Sequence, residues 1–229
     1  HHGFLTVNDR PQWRTIKGGS ARYAEALTAP FKSNIQLNSM IESVKRLKNK
    51  VLVKPKNAPE QSFDYVFFAC HSDEALDILG EDAKVIEKEI LGAIPYQENT
   101  VYLHHDTSML PKRKLAWAAW NYHITKTPAN KVQVTYNMNI LQNIQSTEPL
   151  LVTLNHVNQI NPAKVIKRLK YHHPLYTVAG AAAQARHAEI SGQNRTGYAG
   201  AYWRNGFHED GVVSALEALK HFEAFQDAL

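Results

Sequence analysis

Phe63-Asp64-Tyr65-Val66-Phe67-Phe68-Ala69-Cys70 is apolar at every position but Asp64. A strand with so little polar surface needs cover on both faces, the situation of a parallel sheet in an α/β layer. Its surroundings fit that layer. On the C-terminal side, Ser72 can cap a helix carrying Ala75, Leu76, Ile78 and Leu79, and a second helix is predicted over 82–91. On the N-terminal side, Val51-Leu52-Val53-Lys54-Pro55 follows the charged turn Lys48-Asn49-Lys50, which predicts a hairpin with 41–44, and Ile35-Gln36-Leu37-Asn38 alternates like a short strand. Further upstream, Ser20 follows Lys17-Gly18-Gly19 as a helix N-cap, with Tyr23, Ala24, Leu27 and Phe31 at helical spacing.

After residue 94 the texture changes. Segments 99–105, 116–123, 132–139 and 150–155 read as strands, and Val132, Val134, Tyr136 and Met138 alternate with polar partners, so the sheet is antiparallel with one wet face. Asn161-Pro162-Ala163 is expected to open a short helix, 178–190 a longer one, and Gly197-Tyr198-Ala199-Gly200-Ala201 is a strand of small residues. Asp210 reads as the N-cap of a last helix whose apolar stripe, Val212, Val213, Leu216 and Leu219, should pack on the first layer. The fold class is therefore mixed α/β in two lobes, with 14–94 and 193–229 in one, 95–192 in the other, and a cleft between them.

Composition excludes several classes. With 229 residues, 44% hydrophobic and 21% charged, the chain closes a real core and is not a disordered segment. No apolar run reaches the roughly 18 residues of a membrane span. Cys70 is the only cysteine, so neither a disulfide nor a cysteine zinc site is expected, and the cytoplasm is the expected compartment. The net charge of +5 is spread over faces broken by apolar residues, so nucleic acid is not the expected partner.

No P-loop, GxGxxG, HExxH or GxSxG motif occurs. His104 and His105 are adjacent on a strand and point to opposite faces, which argues against a shared metal, and no metal site is expected. Cys70 reads as a small buried apolar group, and Trp117, Trp120 and Tyr122 as sheet aromatics. The sharpest local signal is glycine placement. Gly200 through Gly211 leads a strand of small residues into a helix start, where a ligand can approach the backbone and an electron-rich oxygen is favoured; a plain strand–helix junction explains the same residues equally well. Gly18-Gly19-Ser20 before the first helix has the same form and the same two readings.

Four stretches in order, Arg10-Pro11-Gln12-Trp13-Arg14-Thr15-Ile16-Lys17-Gly18-Gly19-Ser20, residues 63–73, Ala116-Trp117-Ala118-Ala119-Trp120-Asn121-Tyr122, and 198–201 through His208-Glu209-Asp210-Gly211, together resemble bacterial NAD/FAD-binding proteins of the flavin-containing amine oxidase superfamily. The resemblance runs through nearly all of the chain. It implies that 14–94 and 193–229 are parts of an FAD-binding lobe, that 95–192 is a substrate lobe, and that 1–13 comes from the substrate lobe as well. It places Gly18, Gly19 and Ser20 near the flavin ring, the Ile41 backbone at the adenine and Ala69 at a strand end beside the cofactor. By the same resemblance Gly200 would line the ribityl and pyrophosphate path, with Ala201 where relatives carry an acidic residue, the amides of Gly211 and Val212 would face the flavin N1 and O2 region, and Phe207 would face the substrate.

Such proteins open with a strand, a GxGxxG turn and a helix holding the ADP half of FAD, and this sequence contains none. The chain thus resembles a C-terminal half, expected to bind FAD weakly or not at all without the dinucleotide-binding segment. Where many amine oxidases carry a Lys near flavin N5, this chain reads Asn99-Thr100-Val101. Two functions follow: part of an FAD-dependent oxidoreductase taking a hydride from an apolar or amine small-molecule substrate, or a non-catalytic module that binds an apolar ligand or partner.

Overall fold

The computed structural model describes residues 8–9, 14–125 and 130–227. Apart from residues 8 and 9, the expectation for 1–13 lies outside them, as does the Arg10-Pro11-Gln12-Trp13 start of the first motif. The first helix, α1 (Ala21–Thr28), begins after Ser20, which stands at the N-cap but makes no side-chain capping bond, and none of its residues is buried. The strand expected at 35–38 does not form. Asn38 adopts a left-handed φ of +56°, which breaks an extended run, and Leu37 stays exposed.

The predicted hairpin is present: β1 (Ile41–Arg46) pairs antiparallel with β2 (Val51–Pro55), and the turn is closed by the Leu47 amide on the Lys50 carbonyl at 2.8 Å. The 63–70 run, however, is not one strand. Its first residue ends β3 (Gln61–Phe63), which adds to β2, whereas β4 (Val66–Phe68) pairs parallel with β10 (Thr196–Tyr198). Parallel pairing agrees with the sequence reading, but two-sided burial does not: Phe68 is buried, while Phe67 is 41% exposed. On that outer face Tyr65 and Phe67 meet the Phe222 ring, at centroid separations of 4.7 and 5.5 Å, and Tyr65 also meets Phe225 at 5.4 Å.

Helices α2 (Ser72–Leu79) and α3 (Val85–Gly92) follow. The cap of α2 is His71, not Ser72, because the Glu74 carboxylate reaches back to the His71 amide at 3.0 Å. Val51, Ala75, Ile90 and Leu91 lie at the centre of one hydrophobic core, which also takes in Phe68, Tyr198, Tyr202 and Trp203. Ala183 and Ile190, from the stretch read with the second lobe, join it too.

A second sheet is antiparallel with strand order β6-β7-β8-β5-β9. Its strands are β5 (Tyr96–His104), β6 (Trp120–Tyr122), β7 (Val134–Asn137), β8 (Leu151–Leu154) and β9 (Val165–Pro174). The helix α4 (Met138–Gln142) continues from the end of β7. The helix expected at Asn161 is a single turn, capped by the Asn161 side chain on the Ala163 amide at 3.0 Å, and ten residues of edge strand β9 follow. That strand carries Lys167, Arg168, Lys170 and two histidines on largely exposed positions, so no clean apolar alternation marks it. The helix α5 (Val178–Gln184) ends earlier than expected, with one further turn at 187–189.

The last helix, α6 (His208–Asp227), inverts its predicted packing. Its buried residues are Asp210, Ser214 and Ala218, while Val212 and Leu216 are each 54% exposed and Leu219 is exposed as well. Polar ties explain the choice of face: Ser214 Oγ accepts from the Gly200 amide at 2.9 Å and donates to the Gly211 carbonyl at 2.8 Å. Among the described residues no helix is long and apolar enough to cross a membrane.

Candidate functional site

Two backbone features from opposite ends of the sequence converge on one cavity. The first is the Gly18-Gly19 turn. Both glycines are left-handed, at φ of +85° and +88°, and the Gly19 amide donates to the Ile16 carbonyl at 3.0 Å. A side chain at Gly18 would meet Arg22, but one at Gly19 would meet nothing within 4 Å, so Gly19 borders open space. The second is the opening of α6. The Asp210 carboxylate accepts from the Phe207 amide at 2.9 Å, so Asp210 reaches back to the N-cap from inside the first turn and is not itself the cap.

Between them lies a cavity of about 560 Å³. Gly19, Ser20 and Tyr23 line one side, His208, Glu209 and Val212 the other, and Gln142 of α4 closes it from the second sheet. The Tyr23 and His208 rings meet edge to face, 6.3 Å apart. Three residues singled out in the sequence, Gly19, Ser20 and Val212, thus share this wall, and Gly18 sits directly behind it. Tyr23, Gln142, His208 and Glu209 were not singled out. Tyr23 reads as part of an apolar helix stripe, and His208 and Glu209 belong to the glycine-rich junction, which was read only for its glycines.

The remaining positions are distributed differently. Gly211 lies one turn behind the cavity, where a Cβ would meet only the Ala201 Cβ at 4.0 Å. Its amide is not directed outward: α6 opens at His208, so the Gly211 N–H already donates to the Phe207 carbonyl at 3.2 Å. The Val212 contribution to the cavity is its exposed side chain. Gly200 is needed for packing, since a Cβ there would fall 2.3 Å from the Tyr202 ring, and its amide is committed to Ser214. Phe207 is half-buried at the N-cap of α6. Ile41 begins β1 and packs on the core, and Ala69 is exposed just after β4; neither lines this cavity.

Other sequence candidates resolve into local contacts. His104 Nε2 meets Thr153 Oγ1 at 2.8 Å and His105 Nδ1 meets the Pro149 carbonyl at 2.9 Å, so the two rings serve separate partners. Burial, and then the Glu74 charge, push the Cys70 thiol up to about 11, the state of an unreactive cysteine. Trp117 donates to the Pro111 carbonyl at 2.8 Å, and Trp120 meets Tyr136 edge to face.

No protein-family model matches this chain, and no curated protein matches it. Solved structures do. The chain is similar to a conjugated-linoleic-acid-producing fatty acid isomerase from P. acnes at 15% identity and a TM-score of 0.63, over 89% of this chain and 52% of that one. It is similar to a reduced UDP-galactopyranose mutase at 14% identity and 0.63, over 90% and 52%, and to a putrescine oxidase bound to putrescine at 10% identity and 0.59, over 90% and 53%. At these identities the likeness is one of fold. The chain shares the mixed helix and sheet fold of these structures and spans about half of their length.

Proposed function

We propose that this chain is one half of an FAD-dependent oxidoreductase, with its cofactor site at the cavity between the Gly18-Gly19-Ser20 turn and the start of α6. One observation carries the reading: residues nearly 200 positions apart, Gly19 and Val212, wall the same 560 Å³ space within a fold shared with flavin amine oxidase superfamily structures. The residues suit a flat, partly apolar ring. Gly19 leaves open space where any other residue would add a side chain, Val212 and Tyr23 offer apolar surface, and the volume lies in the range of small-molecule sites. FAD would supply hydride acceptance there. This chain would supply position: Gly18, Gly19 and Ser20 beside the ring, Gly211 and Val212 at its other side, Gly200 and Ala201 behind them, Ile41 and Ala69 toward the rest of the dinucleotide, and Phe207 toward a small-molecule substrate, apolar or amine.

The proposal includes a partner. Nothing on α1 is buried, the Val212–Leu216–Leu219 face of α6 is open, and Phe67 stands beside it. A dinucleotide-binding segment would cover these surfaces, making 14–94 with 193–229 the FAD lobe and 95–192 the substrate lobe of a cytoplasmic enzyme. A binding module without catalysis would need the same cover but no cofactor. The visible spectrum of the natural gene product, purified with added FAD, separates the two: an oxidised-flavin spectrum is expected, and a colourless protein that does not take up FAD defeats the reading. Val212→Asp, at an exposed position that lines the cavity, should then lower FAD affinity while leaving the melting temperature of the apoprotein nearly unchanged.

A further inference from the structure

A separate cavity, of about 270 Å³, lies where the β1–β2 turn meets the N-terminal ends of β4 and β10. Four cations line it, Arg46, Lys48, Lys84 and Arg195, and Leu47 and Phe225 give it apolar wall. It shares no lining residue with the Gly19 cavity: α6 gives Val212 to that one and Phe225 to this one, about 20 Å apart along the helix. This cavity can therefore be occupied whether or not the chain holds a flavin. No Asp or Glu lines it, and all 21 acidic residues of the sequence are among the described ones. The wall thus contains no carboxylate side chain.

Arg46 is already spent, paired with Asp82 and Glu87. The other three cations are not. Among the described residues neither the Lys48 nor the Lys84 ammonium has an ion pair or a hydrogen bond, and both residues are exposed. Arg195 is half-buried and fixed: its Nε donates to the Lys48 carbonyl at 2.9 Å and a terminal nitrogen to the Asp64 carbonyl at 3.1 Å, while the guanidinium lies 5.3 Å from the Phe225 ring centroid. Two of its five N–H donors are used, which leaves three for a ligand. The backbone singles out the same residue. Asn194 and Arg195 are both left-handed, at φ of +50° and +60°. Asn tolerates that region, but a long side chain is disfavoured there. The backbone task at this point is to start the parallel pair, with the Arg195 carbonyl accepting from the Val66 amide at 3.0 Å. Glycine would do that without strain, yet the position holds a guanidinium at the cavity.

We infer that this cavity binds the phosphate group of a small soluble phosphomonoester, clamped by Arg195, Lys48 and Lys84. Three cations around one concave space repel one another, and a dianion relieves that repulsion where a neutral ligand cannot. Asp82 and Glu87, which would oppose the dianion, are engaged by Arg46. A monocarboxylate brings a single charge and two oxygens, too few for the donors present. A tetrahedral dianion offers three terminal oxygens, enough for the planar guanidinium and the two ammonium groups together. Leu47 and Phe225 leave apolar surface for the group esterified to it.

The test is calorimetric titration of the full chain, at mildly alkaline pH and low ionic strength, with inorganic phosphate and with phenyl phosphate. Saturable binding of both is expected, phenyl phosphate the tighter, and both weakened by added salt. Lys48→Gln and Lys84→Gln change exposed positions without partners, so each should leave the melting temperature unchanged and weaken binding about tenfold, the loss of one charge-assisted contact. Arg195→Lys keeps the charge but not the fork and should weaken binding at least as much. Should that variant fail to fold, the two lysine variants decide alone. Lys167→Gln removes an equal charge from edge strand β9 and should leave the affinity within about twofold. No saturable phosphate binding, binding as tight after both lysine substitutions, or an equal loss at Lys167 would each overturn the proposal. So would binding of inorganic phosphate that phenyl phosphate does not share.

Discussion

The Tyr198 hydroxyl donates to Glu87 Oε1 at 2.8 Å, and both side chains are sealed from solvent. The bond joins β10 to α3 across 111 residues. On its other side the Glu87 carboxylate pairs with the Arg46 guanidinium, whose second nitrogen sits 2.8 Å from Oε2, and Arg46 also reaches Asp82 at 2.6 Å. Burial alone would raise the Glu87 carboxyl, but hydrogen bonds from Arg46, the Lys84 amide and Tyr198 hold it below the usual carboxylate range. Strand, helix and C-terminal segment therefore meet on one carboxylate.

Glu87→Ala should consequently be among the most damaging single changes around the hydrophobic core. It leaves the Arg46 charge buried with only Asp82, a loss of about 3 to 5 kcal/mol. Tyr198→Phe removes one bond of several and should cost about 1 to 2 kcal/mol. Urea denaturation of both variants checks the order.

Acid should weaken the second sheet. His104 is depressed to about 4 from an ordinary value of about 6.5, so the unfolded chain binds the extra proton first. Stability is intact above pH 6.5 and is lost as pH falls toward 4, by about 2 kcal/mol at pH 5 from this group alone. His104→Gln keeps an acceptor for Asp106 and a donor for Thr153. Its urea midpoint should fall less between pH 7 and pH 5 than that of the unmodified chain.

Gly211 and Gly200 should respond oppositely to alanine. Gly211 is helical with room for a methyl group, so Gly211→Ala should stabilise by about 0.5 to 1 kcal/mol. Gly200→Ala would drive a Cβ into the Tyr202 ring and should lower the melting temperature. Thermal melts of the two proteins side by side make the comparison.

Leu216→Lys should leave the stability of this chain within about 0.5 kcal/mol, because the position is exposed on α6. If a dinucleotide-binding segment covers that face, the same change should abolish its co-purification with this chain.

Cys70 should resist iodoacetamide at pH 8 in the folded chain and react promptly in urea, because its high thiol pKa and partial burial disappear together on unfolding. Mass spectrometry of timed aliquots reads the difference.

The fold was legible wherever a local pattern matched its final environment. The 41–55 hairpin, the parallel character of 66–68 and four of the five strands of the antiparallel sheet followed from alternation or apolar runs. Strand β9 was hidden because an edge strand has few buried positions to mark it, and its cations blur the period. The packing of α6 was hidden for the opposite reason: its stripe is real but stays exposed, while Ser214 and Asp210 anchor the helix through hydrogen bonds that hydrophobic spacing cannot show. At the candidate site, Gly19 and Ser20 were visible as a turn before a helix. Gln142 was not, since only the tertiary fold carries it from beside the second sheet to the Gly19 turn.

The pairing of β4 with β10 sets the tempo of assembly. Residues 66–68 align with 196–198, so the first core cannot close around Phe68 and Tyr198 until the chain between them, the whole antiparallel sheet included, has been spanned. A contact of such sequence separation carries a large loop-closure entropy and forms late. On the ribosome, Phe68 and its neighbours emerge well before the strand that shields them. For that interval the nascent chain presents an aromatic, β-prone segment to solvent, the kind of exposed surface through which slow-closing folds aggregate.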